Sequence, residues 1–136
     1  MRLEPLHDRF AVVVHDVDLR AVRLYPEIRA AFEEHSLLLF RGQQLDDESH
    51  TRLAKLFGPL ENREQMAGHD DSFKVSTVSN VESDGSLTPE EALRHLDQQA
   101  NMLWHTDSTF LPTPALVNLL MATVVPSTGG QTEFVA

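Results

Sequence analysis

Cysteine is absent from this sequence, and basic residues are scarce. Without cysteine the chain has no disulfide framework, no thiolate zinc site and no thiol nucleophile, so any metal must be bound by histidine and carboxylate. The 11 Lys and Arg residues are outnumbered by 21 Asp and Glu residues, which gives a formal charge of -10. Because this charge repels phosphate backbones and anionic lipids, we expect neither nucleic acid nor a membrane surface as a partner.

Long apolar runs are missing as well. No stretch approaches the length of a membrane span, and residues 1–5 lack the charged-then-apolar pattern of a signal peptide. We therefore expect a cytoplasmic protein. Apolar residues nevertheless make up 41% of the 136 residues, which is enough to bury one core. The sequence predicts a single domain over residues 1–136.

Strands and helices are predicted to alternate in the first half of the chain. A β-branched run at residues 10–14 predicts a buried strand, and helical spacing of apolar residues predicts a helix from Pro26. The continuous apolar run at residues 36–40 is typical of a strand buried on both faces. Asp46 is a good N-cap for a second helix, which Gly58 ends.

The second half is more polar and richer in turn residues. Residues 61–71 are loop-like, and a strand is predicted at residues 73–79. Residues 83–85 have the composition of a turn. The apolar stretch 115–125 predicts another strand, and residues 131–136 have the pattern of a strand that has barely begun.

The residues that suggest chemistry are His105 and Asp107. They are two positions apart, so an extended backbone would place both side chains on one face. A nitrogen and an oxygen ligand together suit iron(II), and a facial set of two histidines and one carboxylate leaves positions open for a chelating cosubstrate and oxygen. A histidine and an aspartate at this spacing are common by chance, so the pair alone is a weak signal.

The residues around this pair strengthen the signal. Residues 101–110, which read NMLWHTDSTF, and residues 125–134, which read VPSTGGQTEF, resemble the TauD/TfdA family of taurine and 2,4-dichlorophenoxyacetate dioxygenases. The similarity extends over nearly the whole chain and is closer to the 2,4-dichlorophenoxyacetate (aryloxyalkanoate) branch. Further matching segments are residues 38–43 (LLFRGQ), 56–61 (LFGPLE) and 79–81 (SNV).

The resemblance implies a fold and a reaction. The family fold is α+β, a double-stranded β-helix (a cupin-like jelly-roll) with flanking helices, of which residues 1–136 would form the truncated N-terminal half. The cofactors would be Fe(II), alpha-ketoglutarate and O2. The reaction would hydroxylate a small anionic organic acid, aryloxyacetate-like or taurine-like, while alpha-ketoglutarate is decarboxylated to succinate. Family members often form dimers or higher assemblies, so a homo-oligomer is also implied.

Individual site residues follow from the matched motifs. The resemblance implies that His105 and Asp107 are metal ligands and that Thr132 contacts alpha-ketoglutarate. Asn101 matches a position near substrate and cosubstrate, although an Asn that caps a loop turn is an equally good explanation. Trp104 is expected to pack in a core or a pocket wall, because a large aromatic beside a ligand excludes water.

Two family residues have no counterpart in this sequence. The third metal ligand, a distal histidine, and the arginine that pairs with alpha-ketoglutarate would both lie beyond Ala136. Among the other histidines, His35 and His50 are predicted at helix surfaces or boundaries. His69 and His95 lie in loops that could fold over the site, where contact with substrate is favoured over metal ligation.

Three other classes of function stay open. The chain could be a truncated, inactive relative or a metal-binding domain without turnover. A zinc hydrolase could use the same ligand types, but it would need a general base and a third ligand that the sequence does not assign. A cupin-like ligand-binding module is the third alternative. We also expect the isolated 136-residue chain to be marginally stable or to aggregate, because half a jelly-roll exposes unpaired strand edges.

Overall fold

A computed structural model describes residues 1–61, 75–89 and 99–136. The chain divides into two compact units. The first unit consists of Met1–Leu60 and Val117–Ala136, and the second unit consists of Glu61–Leu116.

The first unit contains a three-stranded sheet, whose strands are β1 (Arg2–Pro5), β2 (Val12–His15) and β3 (Leu38–Phe40), in the order β1-β2-β3. β1 runs antiparallel to β2, and β3 runs parallel to β2 with Val12 opposite Leu38. β2 is buried because three consecutive valines occupy its central position in the sheet. The strands predicted at 10–14 and 36–40 are confirmed with narrower bounds, whereas β1 was not predicted. The predicted burial of the second strand on both faces was wrong, because β3 lies at the edge of the described sheet and is only half-buried.

Helix α1 (Tyr25–His35) connects β2 to β3 and follows a short 3-10 helix at Val22–Leu24. Pro26 lies in its first turn, where the missing N–H removes no helical hydrogen bond. Its C-cap is Ser36, which has a left-handed backbone with φ of 63° and donates its N–H to the carbonyl of Phe32. The predicted helix from Pro26 is confirmed.

Helix α2 (Asp47–Phe57) begins at the predicted N-cap. The carboxylate of Asp46 accepts a hydrogen bond from the backbone N–H of Ser49 at 2.8 Å. Hydrogen bonds from Ser49 favour the ionised carboxylate and lower the pKa of Asp46 below its ordinary value. Gly58 follows as the C-cap, with φ of 148°. Local capping residues therefore define both ends of α2.

The two helices and the sheet bury a small apolar core. Leu19, Ile28 and Leu53 are its buried centre. Phe57 adds edge-to-face ring contacts with Tyr25 and Phe32. The partly buried side chains that pack against this centre are Val17, Leu24, Leu38, Phe40, Leu45, Leu56, Phe57 and Leu119.

The second unit contains a tight hairpin-like turn. Val81 and Leu87 form an isolated antiparallel bridge, and Gly85 donates its N–H to the carbonyl of Glu82 at 3.0 Å. The Asp84 carboxylate accepts from the hydroxyl and the N–H of Ser86, and these bonds lower the pKa of Asp84. The predicted turn at residues 83–85 is confirmed.

Three predicted strands are not found. Residues 115–125 and 131–136 carry no strand in the structure, and Leu120, Val124 and Val125 are exposed. Residues 75–79 have no regular structure, while residues 73–74 lie outside the described residues. A strand requires a neighbouring backbone that shares its hydrogen-bond ladder, and apolar composition does not supply that neighbour. The prediction of strand in these segments was wrong for this reason.

The helices of the described residues are short. None of them has the length and apolar character that a bilayer span requires.

Candidate metal centre

The segment that carries His105 and Asp107 is built from turns. The N–H groups of Met102 and Leu103 donate to carbonyls at Gln99 and Ala100, which forms a turn before the pair. Residues 104–106 have no regular structure, and residues 107–110 form another turn. The expected extended backbone is therefore replaced by an irregular one, and the pair is positioned by the turns on either side.

A backbone carbonyl fixes the ring of His105. Nδ1 of His105 lies 2.7 Å from the carbonyl oxygen of Leu103. A carbonyl can only accept, so Nδ1 must carry the proton. In the neutral imidazole, Nε2 is then the nitrogen with the free lone pair, which is the form that binds a metal.

His105 and Asp107 face each other across a short gap. Nε2 of His105 lies 3.3 Å from Oδ1 of Asp107, and the two side chains are 45% and 47% exposed. Two lone pairs at this distance repel, so a proton or a metal cation between them stabilises the arrangement. The side chains are open enough for further ligands to approach from solvent.

The geometry of the pair fits one metal ion. With metal–ligand bonds of roughly 2.0–2.2 Å, two adjacent ligands of one ion lie about 3 Å apart. The mixed nitrogen and oxygen donors suit iron(II). Within residues 1–61, 75–89 and 99–136, no third histidine, cysteine or carboxylate joins the pair to complete a cluster. The described residues therefore supply two ligands.

The other predicted site residues are exposed. Asn101 lies in the turn before His105, in the second unit, as the loop-turn explanation predicts. Thr132 belongs to the first unit and lies in a segment without regular structure. Trp104 is 67% exposed, so it does not pack in a core, and its place in a pocket wall stays a prediction. The irregular backbone at residues 104–106 leaves this ring at the surface of its unit.

The remaining histidines differ in their surroundings. His35 ends α1, as predicted. His50 was expected at a helix surface or boundary, but it is buried on α2 and its Nε2 lies 3.1 Å from the carbonyl oxygen of Leu119. A carbonyl 69 residues away along the chain supplies this partner, and helix periodicity carries no information about it. His69 and His95 lie outside the described residues.

Three groups near the pair were not predicted from the sequence. They are the carbonyl of Leu103, the hydroxyl of Ser108 and the carboxylate of Glu61, which accepts a hydrogen bond from Ser108. A weak signal was present, because Ser108 follows Asp107 directly and Glu61 ends one of the segments that resemble the family. The backbone carbonyl leaves no trace in a sequence.

An imidazole and a carboxylate held two residues apart, with open space around them, define a candidate site for a divalent metal. The sequence model of the family described as "Taurine catabolism dioxygenase TauD, TfdA family" matches residues 2–136. The chain belongs to this TauD/TfdA family.

Curated relatives include an alpha-ketoglutarate-dependent 2,4-dichlorophenoxyacetate dioxygenase of Cupriavidus pinatubonensis, which is 38% identical over 137 residues. That match covers 96% of this chain and 48% of the relative. An (S)-phenoxypropionate/alpha-ketoglutarate-dioxygenase of Sphingobium herbicidovorans is 37% identical, with 97% and 44% covered. The chain thus spans about half the length of these curated relatives.

A solved structure is also similar to this chain over part of its length. The crystal structure of AAD-2 in complex with Mn(II) and N-oxalylglycine is 30% identical, with a TM-score of 0.70. The match covers 84% of this chain and 40% of that one.

Proposed function

We propose that the intact protein containing this chain is an Fe(II)- and alpha-ketoglutarate-dependent dioxygenase that hydroxylates a small organic acid. The observation that carries the proposal is the 3.3 Å approach of His105 Nε2 to Asp107 Oδ1, with His105 Nδ1 held by the Leu103 carbonyl. This geometry occurs in a chain of the TauD/TfdA family. Relatives of this chain bear the names of alpha-ketoglutarate-dependent dioxygenases.

The residues of this chain have separate roles in the proposal. His105 and Asp107 hold iron(II), and the Leu103 carbonyl keeps the protonated Nδ1 away from the metal. The Thr132 hydroxyl donates to a carboxylate oxygen of alpha-ketoglutarate, and Asn101 contributes polar contacts to substrate. When bound, iron(II) supplies the oxidative chemistry that converts substrate, alpha-ketoglutarate and O2 to hydroxylated product, succinate and CO2.

The proposed substrate is a small anionic acid, aryloxyacetate-like or taurine-like. Relatives are named for 2,4-dichlorophenoxyacetate, (S)-phenoxypropionate and sulfate esters. The net charge of -10 repels such anions over long distances. Positive charge must therefore be local, and the metal cation itself supplies part of it. With an aryloxyacetate, hydroxylation beside the ether oxygen would give a hemiacetal that collapses to a phenol and glyoxylate.

We also propose that residues 1–136 are the N-terminal half of one dioxygenase domain with a double-stranded β-helix fold. The coverage of about half of each relative supports this assignment. The likeness to AAD-2, at a TM-score of 0.70, supports the same fold. In this arrangement the remaining strands of the jelly-roll and the third metal ligand would come from elsewhere in the protein.

The decisive experiment is an anaerobic titration of the intact protein with Fe(II) and alpha-ketoglutarate. We expect a visible charge-transfer band that His105→Ala and Asp107→Ala abolish. Oxygen is then added with a panel of acids (aryloxyacetates, taurine and alkyl sulfates), and succinate is measured. If one acid stimulates the formation of succinate, that acid identifies the chemical class of the substrate.

Metal binding without turnover is the competing function. It is supported if the intact protein binds Fe(II) through His105 and Asp107 but shows no charge-transfer band and releases no succinate with any acid. A zinc hydrolase would instead bind zinc at the pair and turn over without O2. Either result would contradict the dioxygenase proposal.

A further inference from the structure

Ser108 is buried beside two exposed metal-ligand candidates. It is 2% exposed, less than any residue of the hydrophobic core, whereas the side chains of His105 and Asp107 are nearly half exposed. Side chains with this much solvent contact have little packing to hold them. The backbone next to them must therefore supply most of their order, and Ser108 shares a peptide bond with Asp107.

The backbone of Ser108 is in a disfavoured conformation. Its φ is 60°, in the left-handed region that residues with a Cβ rarely adopt. Such a conformation persists only where the surrounding contacts impose it, and it is found repeatedly at functional sites. The direction in which the chain leaves Asp107 depends on this angle, so the contacts that impose it also influence the ligand.

Two hydrogen bonds hold Ser108 in its left-handed backbone conformation. The Ser108 hydroxyl donates to the carboxylate of Glu61, a residue 47 positions earlier in the chain. The Ser108 carbonyl accepts from the N–H of Leu111 at 3.0 Å, which closes the turn after the pair. A buried hydroxyl without an acceptor is destabilising, so the bond to Glu61 is what allows Ser108 to remain buried.

We propose that Glu61 and Ser108 form a positioning pair that holds the metal ligand Asp107. This inference rests on the proposed metal role of His105 and Asp107. Each ligand then has its own support, because the Leu103 carbonyl orients the ring of His105 and the Glu61–Ser108 bond fixes the backbone beside Asp107. In this role neither Glu61 nor Ser108 would be a metal ligand. Outer partners of this kind change metal affinity by roughly 10–100-fold when they are removed.

The test is an anaerobic Co(II) titration of the intact protein, followed by the visible d–d absorption of bound Co(II). Ser108→Gly removes the hydroxyl but accepts a φ of 60° without strain, so a loss is not caused by backbone strain, and agreement with the Glu61 variants assigns it to the hydrogen bond. Glu61→Ala removes the acceptor, and Glu61→Gln keeps an amide oxygen that can accept. Ser76→Gly, at an exposed position of the same unit, is the matched control.

We expect Ser108→Gly and Glu61→Ala to weaken Co(II) binding by roughly 10–100-fold and to change the intensity of the d–d bands. Glu61→Gln and Ser76→Gly should retain wild-type affinity. Thermal unfolding of the metal-free proteins is measured in parallel, because a purely structural bond would lower the melting temperature and leave Co(II) affinity unchanged. If Glu61→Ala does not fold, Glu61→Asp is used instead. Aspartate keeps the negative charge, but its side chain is one methylene shorter, so its carboxylate lies farther from the Ser108 hydroxyl.

The controls separate two kinds of failure. If the wild-type protein and His105→Ala bind Co(II) equally, the metal role of the pair is wrong and the positioning inference falls with it. If His105→Ala abolishes binding while Ser108→Gly and Glu61→Ala bind like wild type, the metal site stands and the positioning pair is overturned.

Discussion

The ring of His50 on α2 is tied to the backbone of Leu119, and the Nε2 to carbonyl oxygen distance is 3.1 Å. The side chain of Leu119 packs against the core that α2 helps to form. Because the carbonyl can only accept, Nε2 carries the proton and Nδ1 has a free lone pair. Within the described part of the chain, this buried Nδ1 has no hydrogen-bond partner. The Nε2–H group of His50 thus links α2 to the backbone of Leu119. Replacing His50 tests whether this hydrogen bond contributes to stability.

We expect His50→Gln to be tolerated and His50→Asn to be destabilising. In Gln, the amide nitrogen is the same number of bonds from the backbone as Nε2 of His, so it can still donate to the Leu119 carbonyl. In Asn the nitrogen is one bond shorter and leaves that carbonyl without its donor. An unsatisfied buried carbonyl costs about 1–3 kcal/mol, and the lower part of this range applies to the part-buried Leu119 contact. Urea unfolding of both variants measures the difference, and equal stabilities would contradict the assigned bond.

Gln43 connects two loops of the first unit, and we expect Gln43→Glu to destabilise it. The Gln43 amide nitrogen donates to the carbonyl of Val17 at 2.9 Å, and its oxygen accepts from the N–H of Leu19 at 3.0 Å. A carboxylate would place an acceptor against the Val17 carbonyl, at a loss of about 1–3 kcal/mol. Gln44→Glu makes the same change at the next, exposed residue and should have little effect. The free energy of unfolding at pH 7 compares the two.

The Asp18 carboxyl should titrate at unusually low pH. Hydrogen bonds from the side chain and the backbone N–H of Arg20 lower its pKa from the ordinary value of 3.8 to about 2. Because the folded-state pKa is depressed, the stability that this pair contributes is present above pH 3.8 and is lost as the pH falls through about 2. Both side chains are exposed, so that contribution is small and screened by salt.

Carboxyl NMR titration of the wild-type protein and of Arg20→Ala tests this assignment. The Asp18 pKa should rise in the variant without returning fully to 3.8, because the backbone N–H of residue 20 still donates. Asp84, whose depressed pKa depends on Ser86 instead, is the internal control and should not move. An unchanged Asp18 pKa would show that the guanidinium is not its partner.

Local signals made α1, α2, β2 and β3 predictable. Asp46 and Gly58 define the ends of α2 through capping chemistry that operates within a few residues. β2, which is buried, and β3, which is half-buried, follow from continuous apolar runs. His105 and Asp107 were also predicted from spacing and from motif resemblance, and the structure brings them together.

Contacts distant in sequence could not be predicted in this way. The bond from His50 reaches residue 119, and the bond from Ser108 reaches Glu61, so neither has a local pattern. The predicted strands at residues 115–125 and 131–136 failed for the same physical reason, since composition gives a preference for extended structure and a ladder requires a partner. Trp104 shows the limit of motif resemblance, because its position in the motif did not reveal its exposure.

Metal binding at the His105–Asp107 pair should stabilise the intact protein against heat. A ligand that binds only the folded state adds about 2.7 kcal/mol when its concentration is 100 times its dissociation constant. We therefore expect excess Mn(II), which avoids oxidation during heating, to raise the melting temperature by several degrees, and EDTA to reverse the shift. His105→Ala should abolish the shift, whereas His35→Ala, the same change at the end of α1, should retain it. A shift that survives in His105→Ala would place the stabilising metal elsewhere, because the proposed site requires a direct bond from this imidazole to the ion.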